Sequence, residues 1–256
     1  MKISNGDVHV WFSLTKELND VNLLARYKGL LSQDECKRFN SFFYKKDRQL
    51  YLISRALLRT TLSEYSLVSP CNWKFSKNNN GKPFINNKNL SEEKICFNLS
   101  HTDGLVMVGV TKMQDIGVDV EQVSRNFDYM DIAYSNFAAD EITVLESMSG
   151  SDQKEFFYKY WTLKESYLKA RGDGLTMPLN LCSFALSTCS KIKCKFFDQA
   201  VDCHSNWNFL QFSLVKNYIS SICLKRNQNY SPRIRVRHCV PLINNKELKN
   251  IKFLSS

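Results

Sequence analysis

Apolar and polar residues alternate along several short segments of this 256-residue chain, and an alternation with a period of two predicts β-strands. Apolar positions three and four residues apart predict helices instead, and Ser32 to Glu35 has the pattern of a capping box at a helix start. The predicted strands are 7–14, 72–76, 95–99, 105–111, 116–121, 182–186, 192–197, 208–215 and 219–224, and the predicted helices are 32–44, 47–62, 130–148 and 153–171. The tail after Asn227 is basic and shows little pattern, so no element is predicted there.

The order of these elements is a strand, helices and strands, followed again by helices and strands. Neither a break in composition nor a long linker divides the chain, which favours two closely packed halves over two separate domains. The repeated order suggests duplication, although no sequence repeat is visible. The predicted fold class is α+β.

Composition bears on where the protein acts. Apolar residues make up 43% of the chain, but their longest run, 105–110, is far shorter than the ~20 residues that span a bilayer. The first residues lack the apolar block of a signal peptide, and the nine cysteines show no C-x-x-C pair. We therefore expect a cytoplasmic protein with reduced thiols and no membrane segment.

The net charge is +10, from 35 basic and 25 acidic residues. This excess favours an acidic partner, which could be a nucleic acid, an anionic lipid, an acidic protein or a phosphate-rich small molecule. The basic residues are scattered through the chain, so composition does not choose among these partners.

Two carboxylates share one face of the strand predicted at 116–121. Strand side chains alternate, so Asp119 and Glu121 point to the same side, ~7 Å apart. Carboxylates this close repel each other unless a cation lies between them, and oxygen-only ligands favour Mg²⁺ or Mn²⁺ over zinc. The alternative is an ordinary solvated strand edge.

A charged pair lies on the predicted helix 153–171. Glu165 and Lys169 are four residues apart and share a helix face next to Trp161. Such a pair is often only a surface salt bridge worth ~0.3–0.5 kcal/mol. The many aromatic residues of this helix favour a central position, where a partly desolvated pair would have a ligand.

Three further features could contact phosphates. Ser100 and His101 end the strand predicted at 95–99, although a lone histidine is more often structural. The loop Asn80-Gly81-Lys82-Pro83 combines a flexible glycine with a lysine and a rigid proline. The two N-terminal helices also carry several arginines suited to phosphate contacts: Arg38, Arg48, Arg55 and Arg59.

Taken together in chain order, the arginine-rich helices and the motifs G-K-P, F-N-L-S-H, G-V-D-V-E and W-T-L-K-E-S-Y-L-K resemble the 4′-phosphopantetheinyl transferase family. The likeness is to its larger, monomeric bacterial class, whose members modify the carrier proteins of peptide, polyketide and fatty-acid synthesis. The combination of D-x-E with K-E-x-x-x-K is specific, and the main motifs fall within residues 80–174.

This resemblance implies two similar α+β halves, 1–112 and 113–256, related by a pseudo-two-fold axis with coenzyme A in the cleft between them. It implies that a carrier-protein serine attacks the β-phosphorus of coenzyme A and that 3′,5′-ADP leaves. The resemblance implies that Mg²⁺ is held by Asp119, Glu121 and Glu165, and that Glu165 is also the general base. It implies that Lys169 binds the pyrophosphate and that Arg38 binds the 3′-phosphate. The remaining contacts to the nucleotide and its phosphates are implied for Asn80, Gly81, Lys82, Pro83, Ser100 and His101. Arg48 and Arg55 align only loosely and receive no role.

Two other functions compete with this one. Another magnesium-dependent phosphodiester enzyme could use the same acidic residues without a protein acceptor. A basic nucleic-acid-binding protein would explain the charge, but no recognised binding motif supports it. We therefore expect coenzyme A and an acidic apo carrier protein as partners of a monomer, without nucleic acid or membrane.

Overall fold

The computed structural model describes residues 1–87, 94–123, 128–172, 174, 177–186, 191–197, 202–227 and 229–256. In chain order its elements are β1 (Asp7–Leu14), α1 (Val21–Lys28), α2 (Gln33–Ser41), α3 (Lys45–Ser63), β2 (Phe75–Lys77), β3 (Pro83–Ile85), β4 (Ile95–Thr102), β5 (Leu105–Lys112), β6 (Ile116–Gln122), α4 (Tyr129–Asn136), α5 (Ala139–Glu146), α6 (Gly150–Arg171), β7 (Cys182–Leu186), β8 (Ile192–Phe196), β9 (Trp207–Phe212), β10 (Tyr218–Lys225), β11 (Arg233–Val240), β12 (Asn244–Leu248) and β13 (Leu254–Ser255). The predicted α+β class is confirmed. Across the part of the chain that the structure describes, every helix is too short or too polar to cross a membrane.

The chain forms two compact units. Unit 1 contains Met1–Asn78, Pro83–Gln114 and Tyr230–Lys249, and unit 2 contains Asn79–Lys82, Asp115–Asn229 and Asn250–Ser256. The division expected near residue 112 therefore differs from the structure at two places. The segment Tyr230–Lys249 belongs to unit 1 because β11 extends the sheet of that unit, and the short loop Asn79–Lys82 belongs to unit 2.

Unit 1 is a five-stranded sheet with the strand order β12-β11-β1-β5-β4 and with the β2-β3 hairpin beside it. The central strand β1 pairs with β5 antiparallel and with β11 parallel, so that Val10 faces both Gly109 and Val236. Helix α3 packs on this sheet through its apolar face. The resulting core buries large side chains from every layer, among them Trp11, Tyr27, Ile53, Leu57 and Trp73.

Unit 2 is a four-stranded sheet with the order β13-β9-β10-β6 and a separate β7-β8 hairpin. The long helix α6 lies across β6 and β10 and buries most of its aromatic residues, as the sequence predicted. Gly117 allows a very close approach, since a Cβ at that position would overlap the carbonyl of Ser166 and the amide of Ala170. The helix therefore lies directly on the strand that carries Asp119.

The predicted secondary structure lacks α1 and β3, and the strand predicted at 72–76 begins only at Phe75. Two further predictions are also corrected. The helix predicted over 130–148 is two helices, α4 and α5, because Phe137 and Ala138 adopt extended backbone angles between them. The tail after Asn227 contains β11, β12 and β13, although no element was predicted there. Strand β11 pairs with β1 from the other end of the chain, and this long-range pairing has no local signal.

Candidate functional site

The acidic residues singled out in the sequence meet in unit 2. The ammonium of Lys169 on α6 lies 2.5 Å from the Oδ1 atom of Asp119 on β6. The Asp119 side chain is 4% exposed, whereas that of Lys169 is 29% exposed. One end of this ion pair is therefore buried and the other is open to solvent, which suits a site that must admit a charged ligand.

Glu165 and Glu121 belong to the same electrostatic cluster. Burial raises the pKa of Glu165; Lys169 acts to lower this pKa, and the negative charge of Asp119 raises it further. Burial acts to lower the pKa of Lys169, but Asp119, Glu165 and Glu121 together hold it above its ordinary value. A raised pKa makes a carboxylate a better general base, because it binds a proton more firmly.

The chemistry of this donor set fits a hard divalent cation. Asp119, Glu121 and Glu165 offer only carboxylate oxygens, the ligands that Mg²⁺ prefers, and their mutual repulsion is partly balanced by Lys169. Among the described residues, no three histidine, cysteine or acidic side chains have the arrangement of a metal site. In this structure the ammonium of Lys169 contacts Asp119 and supplies the positive charge that balances the carboxylates.

A buried ion pair next to this cluster was missed by the sequence analysis. The ammonium of Lys164 lies 2.8 Å from Oε2 of Glu141, and both side chains are fully buried. It also donates to the carbonyl oxygens of Leu179 and Cys182. Lys164 directly precedes Glu165, so this pair anchors α6 to α5 and β7 at the point where the acidic cluster begins. The K-E dipeptide was the available signal, but helical spacing alone does not tell which lysine is buried.

The loop Asn79–Lys82 lies at the end of α6. The ammonium of Lys82 donates to the carbonyl oxygen of Ala170 at 2.6 Å, where the last turn of a helix leaves carbonyls without helical partners. Gly174 approaches the backbone of Asn80 closely, and Gly81 has a φ of +90°, which favours glycine. Lys82 therefore contacts the helix that carries Glu165 and Lys169.

The basic residues of unit 1 converge on a cavity of about 690 Å³. Arg38 and His101, which lie far apart in sequence, both line it, and so does Arg55. Arg59 is fully buried behind them and is held by Glu35 at 2.7 Å and by two backbone carbonyls. The other residues that line this cavity are Ser32, Asp34, Glu35, Tyr51, Ser54, Arg59, Trp73, Lys74, Phe75, Ser76, Lys77, Pro83 and Leu99.

Not every candidate reaches this cavity. Strand alternation places Ser100, which is buried, on the opposite face of β4 from the exposed His101. Arg48 instead donates to the carbonyl of Phe42 and lies over the ring of Phe39. Of the two arginines left open by the sequence, Arg55 thus lines the cavity and Arg48 supports the loop before α3.

Comparisons with known proteins show which family the chain resembles. Residues 115–223 match the model of the 4′-phosphopantetheinyl transferase superfamily, and residues 21–113 match that of the N-terminal region of a 4′-phosphopantetheinyl transferase. The chain is 32% identical to the 4′-phosphopantetheinyl transferase HetI of Nostoc sp. over 68% of this chain and 73% of the relative. It is 28% identical to the 4′-phosphopantetheinyl transferase ffp of Bacillus subtilis over 81% of this chain and 86% of the relative. A solved holo-(acyl-carrier-protein) synthase of Bacillus anthracis in complex with CoA (3′,5′-ADP) is similar at 19% identity and a TM-score of 0.37, over 43% of this chain and 94% of the other.

The matches define an α+β transferase whose acidic cluster lies within the superfamily match. The chain belongs to the 4′-phosphopantetheinyl transferase family. The resemblance identified from the sequence motifs is thereby confirmed.

Proposed function

We propose that this protein transfers the 4′-phosphopantetheine group of coenzyme A to a serine of an acidic apo carrier protein, in a magnesium-dependent reaction that releases 3′,5′-ADP. The observation that carries the proposal is the convergence of Asp119, Glu121 and Glu165 on Lys169 within the part of the chain that matches the family. A phosphate-rich substrate suits this cluster, because such a substrate needs both a bound cation and a positive side chain to balance its negative charge.

Unit 1 would hold the nucleotide end of coenzyme A. Its basic cavity places Arg38 and His101 on one surface, and guanidinium groups bind phosphate through paired hydrogen bonds. We assign Arg38 to the 3′-phosphate. We assign His101 to a further phosphate contact in this cavity. The family resemblance also implies contacts from Asn80, Gly81, Lys82, Pro83 and Ser100, but the buried side chain of Ser100 lies on the face of β4 opposite His101.

Asp119, Glu121 and Glu165 would hold the magnesium ion, and Mn²⁺ could replace it because it accepts the same oxygen ligands. When bound, the ion supplies positive charge that stabilises the pyrophosphate as it separates. Lys169 adds a charge-assisted hydrogen bond to a phosphate oxygen.

Glu165 is the proposed general base. It accepts the proton of the serine hydroxyl while the serine oxygen forms a bond to the β-phosphorus of coenzyme A. The bond from this phosphorus to the oxygen that bridges to the α-phosphorus breaks, and 3′,5′-ADP leaves with that oxygen. Lys169 donates a hydrogen bond to the phosphate oxygens on which negative charge grows.

The net charge of +10 favours encounter with an acidic carrier protein, since opposite charges raise association rates. We expect the protein to act as a cytoplasmic monomer.

The test is an incubation of the purified protein with coenzyme A, Mg²⁺ and an apo acyl carrier protein, followed by intact-mass measurement. We expect the carrier to gain one phosphopantetheine, and a carrier whose acceptor serine is replaced by alanine to gain nothing. EDTA should abolish the gain and added Mg²⁺ or Mn²⁺ should restore it. Cleavage of coenzyme A without any modified carrier would instead support a phosphodiester hydrolase.

A further inference from the structure

A second cavity, of about 540 Å³, lies entirely within unit 2. We name it the lysine-rimmed pocket. Its lining residues are Val123, Glu155, Lys159, Gln211, Phe212, Ser213, Lys216, Asn217, Tyr218, Ile219, Lys252, Phe253 and Leu254. None of these residues belongs to the acidic cluster around Lys169 or to the basic cavity of unit 1.

The charge of the pocket is positive. Three lysines line it and only one glutamate does, which leaves two positive charges in excess. Lys159 is paired with Glu155 at 2.8 Å. The excess therefore comes from Lys216 and Lys252, which approach the pocket from the β9-β10 connection and from the chain before β13.

The floor of the pocket is apolar. The rings of Phe212 and Phe253 meet with centroids 4.9 Å apart, and Ile219 and Leu254 line the cavity with them. A surface with an apolar floor and a cationic rim is complementary to an amphipathic segment that carries acidic residues beside apolar ones.

The pocket adjoins the acidic cluster along the sheet. Ile219 of β10 is the register partner of Glu121 on β6, Tyr218 is the partner of Gln122, and Val123 follows directly after β6. A protein seated in the pocket would therefore lie beside the strand that carries Asp119 and Glu121.

We propose that the lysine-rimmed pocket is the docking surface for the acidic carrier protein, with apolar side chains of the carrier on the phenylalanine floor and its carboxylates at Lys216 and Lys252. This inference rests on the proposed function. A transferase must hold its acceptor protein close to the proposed base, because a serine that is not positioned reacts slowly. The pocket supplies complementary charge, an apolar contact and a place next to the acidic cluster.

The test is a double variant, Lys216→Glu with Lys252→Glu, in the full chain. Its binding to a fluorescently labelled apo acyl carrier protein, in which the acceptor serine is alanine, is measured by anisotropy at low salt without coenzyme A or metal. We expect the Kd to rise by at least ~10-fold, because like charges would then face each other. In the transfer assay the KM for the unmutated apo carrier should rise similarly, with kcat and the KM for coenzyme A unchanged.

The matched control reverses two lysines in unit 1, Lys16→Glu with Lys45→Glu, and changes the net charge equally. We expect this control to alter the Kd for the carrier by less than ~2-fold. A second variant, Phe253→Ser, leaves the rim charges in place and should also weaken carrier binding, and its Tm is compared with that of the unmutated protein to establish folding.

Equal effects of the two charge variants would overturn the proposal, because bulk charge would then explain the binding. An unchanged carrier Kd together with altered self-association in sedimentation would also overturn it and assign the pocket to a second copy of the chain. Both outcomes are distinct from a failure of the proposed function. If the proposed function were wrong, the unmutated protein itself would transfer nothing to the apo carrier.

Discussion

The two units contain the same supporting arrangement, an ion pair between a long helix and the short helix before it. In unit 1, Arg59 of α3 lies 2.7 Å from Glu35 of α2. In unit 2, Lys164 of α6 lies 2.8 Å from Glu141 of α5. Both glutamates are the third residue of their helix, and each accepts the backbone amide of the residue before that helix at 2.9 Å. In each unit, one carboxylate thus caps the start of its helix and also neutralises a buried cation.

The surroundings of these two pairs differ in charge and in burial. Beside the Arg59 pair, Arg38 and Arg55 line a basic cavity. Directly after Lys164 comes Glu165, in the acidic cluster of unit 2. The Glu35 side chain is 10% exposed, whereas Lys164 and Glu141 have no exposure at all. A similar ion pair therefore lies beside a basic cavity in one unit and beside an acidic cluster in the other.

The largest expected effect is the loss of the proposed base in unit 2. Glu165→Gln keeps the shape of the side chain and removes its charge, so kcat for carrier modification should fall by ~10²–10⁴ or more. Asp152→Asn, at an exposed position of the same helix, is the control and should remain within ~2-fold of the unmutated rate. Near-normal turnover of the Glu165 variant would make this residue neither the base nor an essential metal ligand.

The comparison of the two ion pairs predicts unequal losses of stability. Lys164→Met leaves Glu141 buried without its cation, which should lower the free energy of unfolding by ~3–5 kcal/mol. Arg59→Met should cost less, because Glu35 reaches solvent and keeps Arg55 as a neighbour at 3.5 Å. Urea denaturation of both variants checks this order. A larger loss of unfolding free energy for Arg59→Met would show that losing its two hydrogen bonds to backbone carbonyls costs more than leaving Glu141 buried without its cation.

His9 in unit 1 and Glu141 in unit 2 should contribute oppositely to stability in acid. Burial lowers the pKa of His9 in unit 1 to about 4, so the unfolded chain binds a proton below pH 6.5 that the folded protein excludes. The free energy of unfolding should therefore fall by about 2 kcal/mol between pH 7 and pH 5, and His9→Gln should remove this loss. Burial raises the pKa of Glu141 in unit 2, and a raised carboxyl pKa acts in the opposite direction on acidification.

Hydrogen exchange at pH 7 and pH 5 separates these contributions by unit. Protection should decrease around β1 in the unmutated protein and stay constant there in the His9 variant. Equal losses of protection at pH 5 in both proteins would assign the acid sensitivity to other groups.

The smallest expected effect concerns the basic cavity of unit 1. Arg38→Ala should raise the KM for coenzyme A by ~10-fold with little change in kcat, because one charge-assisted contact to a phosphate is lost. The preference for coenzyme A over dephospho-coenzyme A, expressed as the ratio of their KM values, should become smaller. Lys37→Ala, on the same helix but outside the cavity lining, is the control. An unchanged preference would place the 3′-phosphate on another residue, and Arg55 would be tested next.

Local pattern was sufficient for much of this protein. Alternation predicts β1 and β6, helical spacing predicts α3 and α6, and the sequence pattern alone indicates Asp119 and Glu165 as candidate site residues. These predictions succeed because side-chain direction along one element depends only on its own geometry. The family likeness also came from motif order alone.

Tertiary structure decided which neighbour each face meets. Lys164 and Lys169 lie on one helix, yet one is buried against Glu141 and the other pairs with Asp119, because Gly117 brings β6 onto α6. Strand β11 has its partner β1 more than 200 residues away, so its pairing has no local signature. Long-range packing, rather than the pattern of any single element, determines where a charge is buried and what it contacts.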